Sequence, residues 1–456
     1  MTATFSREVN DLDTKLNLTL VKGVLVGALG GLLFGFDTAV IAGSLRSLRT
    51  LFVLSPLQVG LTVSIALVGT VIGSMLSGPL GERLGGRESL RIFAACYLVS
   101  ALGCALAPNW VALLLFRFIA GLAIGGSSVL GPVYIAELSP AKWRGRMVGA
   151  FQINIVLGVL AAYLSNYLIG LAVSGVGEWR WQLGVATVPA ALFLFMLFGI
   201  PRSARWLVTK GRIEEARQVL GQLGSEDPRA ELAEIVESIH PERSTQVERL
   251  FQWKYRYPIF LAMALAVFNQ MTGINAIIYY LNDIFSMAGF SKTSSDLQAV
   301  AIGLTNLLAT LLAMTMIDRI GRKTLLLVGS VGMVICLAGV SVVFLTHQHP
   351  RSLLPLLVGY IFSFGISQGA VIWVFISEVF PNRVRAKGQS LGSSTHWVMN
   401  AIIAALFPLV ATGSPAYPFI FFGLMVLLQF FVVLWVFPET KGTTLEGMGR
   451  KLGIES

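Results

Sequence analysis

Apolar runs of about twenty residues recur along the whole chain, separated by short polar turns. Each is close to the ~20 residues that carry a helix across the hydrocarbon of a bilayer. Twelve such runs start near residues 19, 57, 88, 111, 145, 181, 256, 297, 323, 352, 386 and 416. The pattern predicts an all-α membrane protein of twelve transmembrane helices. It divides into a cytoplasmic N-terminal segment (1–18), a six-helix half (19–200), a soluble-looking linker (201–255), a second six-helix half (256–438) and a tail (439–456). Within the linker, Ile213, Ala216, Leu220 and Leu223 share one helix face, with Glu214, Glu215 and Arg217 opposite. Asp227-Pro228 then caps a second helix carrying Leu232, Ile235 and Ile239 on one side. Such helices either latch the two halves together or serve as a passive connection.

Composition agrees. Of the 456 residues 55% are hydrophobic and only 13% charged, against about 25% charged in soluble domains. The net charge of +10 would suit a polyanionic partner, but its placement argues against nucleic acid. With both termini inside, cytoplasmic segments hold 28 of the 34 Lys and Arg residues, and the outer loops hold Arg46, Arg49, Arg180, Lys292 and Arg351. That is the positive-inside pattern of a multi-pass membrane protein. The N-terminal MTATFSREVNDLDTKLN lacks a small-residue cleavage site, so the first span is expected to anchor itself. Cys96, Cys104 and Cys336 fall within spans and read as packing residues. Four histidines make a metal constellation improbable, and neither a P-loop nor a nucleophile–base pair is visible. We expect no enzyme activity, cofactor or metal.

The two halves repeat one another. GERLGGRESL (81–90) matches IDRIGRKTLL (317–326), and AELSPAKWRGRMVG (136–149) matches SEVFPNRVRAKGQS (377–390). PRSARWLVTKG (201–211) faintly echoes PETKGTTLEG (438–447). Parallel halves with a site at the midplane between them are a recognised transporter plan, in which rocking of the halves gives alternating access.

Two charges stand out inside the spans. Asp37, in GGLLFGFDTAVIAG (30–43), lies deep in the first apolar run, where a carboxylate costs about 2.5–3.5 kcal/mol. It needs a distant partner, a watery cavity or a proton. Arg117, in the fourth span, is the only cation placed within a run, and the two most simply pair. Amides gather elsewhere: Gln152 in the fifth span, Asn269, Gln270 and Asn275 around Gly273 in the seventh, and Asn306 in the eighth. Trp373 follows in the tenth, then His396, Trp397 and Asn400 on one turn of the eleventh. Neutral donors and acceptors beside aromatic rings are what a sugar requires; single amides also serve as interhelical hydrogen bonds.

Taken in order, GGLLFGFD, GERLGGR, RFIAGLAIGG, PVYIAELSPAKWRG, NQMTGINAIIYY, DRIGRK, SEVFPNRVR and PETKG give a pattern that resembles the sugar porter branch of the major facilitator superfamily. The resemblance covers almost the whole chain. It implies that Asp37 binds the proton with Arg117 as its partner, since facilitators of the family tend to be neutral at the aspartate position. A static ion pair is the alternative. It also implies that Gln152, Gln270, Asn275, Asn306, Trp397 and Asn400 contact substrate, and that Tyr279 and Tyr280 form part of an outer gate. The repeated charges Glu82, Arg83, Arg87, Glu137 and Arg144, with Asp318, Arg319, Arg322, Glu378 and Arg385, correspond to a cytoplasmic gate of salt bridges between the halves. The chain departs from the family pattern at several points. Asn269 replaces a usual Gln and His396 a usual Asn or Gln; Gln368 stands where Trp or Pro is common, and Ala370 where Pro is. These changes are expected to make the pocket more polar and roomier. Gly86, Glu82 and PRSAR also depart, in the first-half gate.

The resemblance implies a proton-coupled monosaccharide symporter acting as a monomer in the cell membrane, with hexose or pentose and proton as partners. A facilitator, an inositol or polyol symporter and a non-transporting sugar sensor are the alternatives.

Overall fold

The computed structural model describes residues 17–452 apart from 141–142, 174, 176, 226, 240–248, 382–383, 443–447 and 449–451, with the backbone alone at 239 and 318, so the Ile239 side chain expected on the second linker face lies outside the described residues. The N-terminal segment and most of the tail, for which the sequence suggests cytoplasmic positions, lie outside the described residues.

Among the described residues, twelve helices are long and apolar enough to span a membrane. In the first half they are Leu18–Phe52, Pro56–Leu84, Gly86–Leu106, Trp110–Leu138, Arg144–Ala172 and Glu178–Gly199. In the second they are Trp253–Tyr279, Lys292–Ile317, Arg322–Thr346, Pro350–Glu378, Arg385–Ala411 and Ala416–Val436. Four of these starts are set by short polar side chains that bond the free amides of a first turn. Asn17 accepts from the Leu20 amide, Asn109 from Ala112 and Ser291 from Ser294. Ser55 and Gln58 form a reciprocal capping box with Pro56 at the first helical position.

Two spans are interrupted at midplane. The seventh is helical to Met271 and resumes at Ile274 after Gly273, whose φ of +85° suits glycine far better than an L side chain. The tenth breaks at Ile366–Ser367, between Leu353–Gly365 and Gln368–Glu378. Broken helices at this depth are tolerated where they line a cavity.

The halves meet chiefly through the second and eleventh spans and the fifth and eighth. At Gly60 the approach is so close that a methyl group would lie 2.1 Å from the Ala405 carbonyl oxygen. The apolar interior reports how the halves sit. At the end away from the linker, one cluster unites the halves, joining Phe36, Leu45 and Leu48 with Ile277, Tyr280 and Phe407. Toward the linker end the cores are separate, one drawn from the first half and its linker helices, the other from the second half with Leu250 and Tyr255 of the linker's end and Met448 and Leu452 of the tail.

The linker helices Ile213–Gln222 and Pro228–Ile239 follow the expected faces: Ala216, Leu220, Leu223 and Leu232 are buried, and Asp227 caps the second through the amides of Arg229 and Ala230. Ile213 is an exception, 38% exposed. Their apolar faces join the first-half core beside Leu138, Ala204 and Leu207, so in this conformation these two helices are built onto the first half, while Leu250 and Tyr255 at the linker's end pack into the second.

Candidate substrate and coupling site

Midway through the bundle lies a cavity of about 150 Å³ between the halves. Phe34, Thr38 and Gln152 come from the first half; Asn269, Asn275 and Tyr279 come from the broken seventh span. Asn306, Trp373, His396, Trp397 and Asn400 complete the polar and aromatic wall. Sequence reasoning singled out nearly all of this set, and folding brings it together from six helices.

The amides are arranged in two groups. Gln270 is consumed internally: its Nε2 lies 3.0 and 3.2 Å from the two ring nitrogens of His396 and 3.3 Å from Asn269 Oδ1, while its Oε1 accepts from Asn275 at 3.0 Å. Gln270 thus stands behind the wall and orients three side chains that form it. Asn269 and Asn400 are different. Asn400 Nδ2 donates to the Tyr279 hydroxyl at 3.2 Å, yet its Oδ1 has no partner, and neither does Asn269 Nδ2. Both residues are almost wholly buried. One buried acceptor and one buried donor therefore border the cavity with their bonds unmade, a costly arrangement unless something arrives to satisfy them.

The rings form a wall. Trp373 and Trp397 flank His396 at centroid distances of 5.0 and 5.2 Å, and Phe34 reaches Trp397 from the other half at 5.5 Å. Phe34, Thr38 and Thr310 were not singled out from sequence; a phenylalanine among 28 in an apolar chain carries no signal of its own.

Gln368 lies elsewhere. It is fully buried and donates to Gln429 of the twelfth span, outside the cavity wall. The expectation that it makes the pocket more polar is corrected here: its amide turns to another amide on the twelfth span instead of to the cavity.

Asp37 and Arg117 do pair. Arg117 Nη1 lies 3.2 and 3.4 Å from the two Asp37 oxygens, and its Nε donates to the Thr62 carbonyl. Arg117 is 3% exposed and Asp37 18%. One guanidinium nitrogen carries the contact, so the pair lacks the two-pronged geometry that makes such bridges most rigid. A small void beside them shares Phe34, Thr38, Tyr279 and Trp397 with the main cavity. The ion pair and the cavity are thus two sides of one thin wall.

The tyrosine pair divides. Tyr279 borders the cavity beside Asn400, whereas Tyr280 turns into the second half, stacking on Phe407 at 4.8 Å and donating to the Ala404 carbonyl. Bonds across the halves at this far end come instead from Tyr163, which donates to the Ile278 carbonyl at 2.8 Å, from Arg49 to Asp283 at 2.9 Å, and from Lys292 to Glu178.

At the linker end the repeated charges bind within their own halves. Arg87 pairs with Glu88 and donates to the Ile200 carbonyl; Glu137 lies beside Ser203 and Arg205. Arg322 holds Glu378 at 2.8 Å, and Arg385 donates to the Phe380 carbonyl. Arg144 donates to the Ala136 carbonyl, Glu82, Arg83 and Arg319 are exposed, and the Asp318 side chain lies outside the described residues. Glu439, not singled out for this role, accepts from the backbone amides of Arg322, Lys323, Thr440 and Lys441. Burial would raise its carboxyl, but these four bonds hold it below the usual glutamate range.

A profile of the family described as "Sugar (and other) transporter" matches residues 23–452. A probable metabolite transport protein of Bacillus subtilis, CsbC, is 38% identical, with 93% of each chain covered. The galactose-proton symporter of Escherichia coli is 36% identical over 94% of this chain and 93% of its own. Among solved structures, the inward open conformation of the xylose transporter XylE from E. coli superposes with a TM-score of 0.85 at 32% identity, covering 95% of this chain and 99% of that one.

Proposed function

The chain belongs to the sugar (and other) transporter family, and we propose that it takes up a monosaccharide together with a proton by alternating access. It is a multi-pass protein of the plasma membrane and not an enzyme. The linker end is cytoplasmic, because the Lys and Arg residues of the chain crowd there. The far end is therefore the outer one. The conformation is then inward open: cross-half bonds and a shared core seal the outside, while the cores of the two halves part on the inside.

The observation that carries the substrate reading is the pair of unpartnered buried amide atoms, Asn269 Nδ2 and Asn400 Oδ1, in a ring-walled cavity. A hydroxyl group both donates and accepts, so a polyol answers both, and the tryptophan faces suit the C–H face of a pyranose. Two of the proteins named above are a galactose-proton symporter and a xylose transporter, and a hexose or pentose fits a site built from neutral amides. Asp37 is the proton site. Moving Arg117 away leaves a carboxylate in low dielectric without compensation, and it takes up a proton rather than stay charged. The shared wall of Phe34, Thr38, Tyr279 and Trp397 lets sugar occupancy and the Asp37–Arg117 contact influence each other.

Uptake of a panel of labelled hexoses, pentoses and inositol into proteoliposomes tests the site. Asn400→Ala should raise KM for the accepted sugar by roughly tenfold, the loss of one buried hydrogen bond, with the maximal rate less affected. An unchanged KM would remove Asn400 from the substrate site.

A further inference from the structure

The outer seal contains a charge cluster that sugar binding and the Asp37–Arg117 pair do not use. A methyl group placed on Gly170, at the outer end of the fifth span, would lie 3.1 Å from Asp296 Oδ2, 3.4 Å from Glu178 Oε1 and 3.6 Å from Lys292 Nζ. Two carboxylates and one ammonium thus converge on one point where the halves meet. Glu178 and Asp296 are nearly fully buried. Lys292 bonds Glu178 across the interface, which leaves one negative charge in excess.

The other charges at this end are already accounted for. Asp283 is held by Arg49, with Arg46 exposed beside it. Arg180 is turned away, its guanidinium over the Trp179 ring and bonded to the Ala105 carbonyl. Among the described residues no second cation bonds Asp296.

A second observation points to what is missing. Asn282 donates its Nδ2 to Asp296 Oδ1, yet its Oδ1 is buried without a partner. Gln182, wholly buried, likewise donates to Glu178 while its Oε1 has none. Each carboxylate therefore sits against a primary amide whose acceptor is unused. A carboxylic acid and a primary amide form two hydrogen bonds at once, N–H to carbonyl and O–H to amide oxygen. A proton on Asp296 Oδ2, directed at Asn282 Oδ1, would complete such a pair and remove the excess charge.

We propose that Asp296, braced by Asn282, is a second proton-binding site, one that acts on the outer gate. The closed gate binds one proton from the external solution. When the gate opens, water reaches Asp296, the carboxylate is solvated, and the proton is released to the outside. The closed state holds more protons than the open one, so external acid favours closure and external alkali favours opening.

The test follows the outer gate directly. Spin labels at Val53 and Gln348, exposed on the two halves at the outer end, report its opening by double electron–electron resonance in nanodiscs. The three native cysteines are replaced by alanine, and Asp37→Asn removes titration of the coupling site. In this background the open-to-closed ratio should fall on acidification, by up to tenfold per pH unit for one proton. Adding Asp296→Asn, which keeps the amide pairing without the charge, should leave the gate closed and flatten that response. Lys292→Gln, which enlarges the excess charge, should favour opening at neutral pH, and its opposite sign separates the effect from misfolding. A pH response that survives Asp296→Asn, or that is lost only in Asp283→Asn, would overturn the assignment, as would a gate indifferent to pH from the start.

Discussion

The two ends of this bundle use the same kinds of side chain to opposite effect. At the outer end, Arg49 with Asp283, Lys292 with Glu178, and Tyr163 with the Ile278 carbonyl all join one half to the other, over a core that both halves share. At the inner end, Arg87 with Glu88 and Arg322 with Glu378 stay within their halves, over cores that do not merge. What matters is therefore which half supplies the partner. An ion pair within a half only stiffens it, whereas a pair between halves biases the alternating equilibrium by its own free energy.

The largest effect should come from packing at the closed end. Gly60→Val would drive a side chain into the Ala405 backbone. Overpacking of this kind costs about 1–3 kcal/mol, enough to reduce the closed outer state by up to roughly 100-fold in the spin-label measurement and to slow transport. Next is Arg49→Ala. It strands Asp283, whose side chain is 7% exposed, but Arg49 itself is 42% exposed. The several kcal/mol expected of a buried pair is therefore cut by solvent to about 1–2 kcal/mol, roughly a 5- to 30-fold shift toward the outward-facing state.

At the inner end, Glu378→Gln should lower thermal stability by about 1–2 kcal/mol, because Arg322 is nearly buried. It should not open the outer gate; an outer-gate shift as large as that of Arg49→Ala would erase the distinction between the two ends. The smallest effect belongs to Glu439. Its carboxyl sits below the ordinary glutamate value of about 4.3, held there by four backbone amides. Its contribution is present above that value and lost as pH falls through the lower folded one. Thermal unfolding followed from pH 6 to 3 should show an acid-sensitive component that Glu439→Gln removes.

The sequence made the spans legible because length and apolarity are what a bilayer selects. Their ends were less so, and for a specific reason. The sixth and eighth helices begin at Glu178 and Lys292, before the apolar runs near 181 and 297. A hydropathy pattern excludes charged residues, but these two neutralise one another across the interface. The cavity was legible because amides are rare in spans and had to be satisfied somewhere. Gln368 is no less rare, yet it bonds Gln429 outside the cavity wall rather than bordering the cavity. The inner Glu439 appears in the sequence only as part of a motif, since nothing in PETKG announces that its carboxylate will lie against the first amides of the ninth span. The direction in which each ion pair points, within a half or between halves, is a property of one conformation and is not written in any single segment.

The most direct test of the account is the comparison of two transport modes in Asp37→Asn. Wild-type proteoliposomes should accumulate the accepted sugar against its gradient only when an inward proton gradient is imposed. The variant should lose that accumulation while still exchanging labelled for unlabelled sugar in counterflow, because the cavity is intact. Proton-driven accumulation that persists in Asp37→Asn would place coupling elsewhere and reduce the Asp37–Arg117 pair to a structural contact.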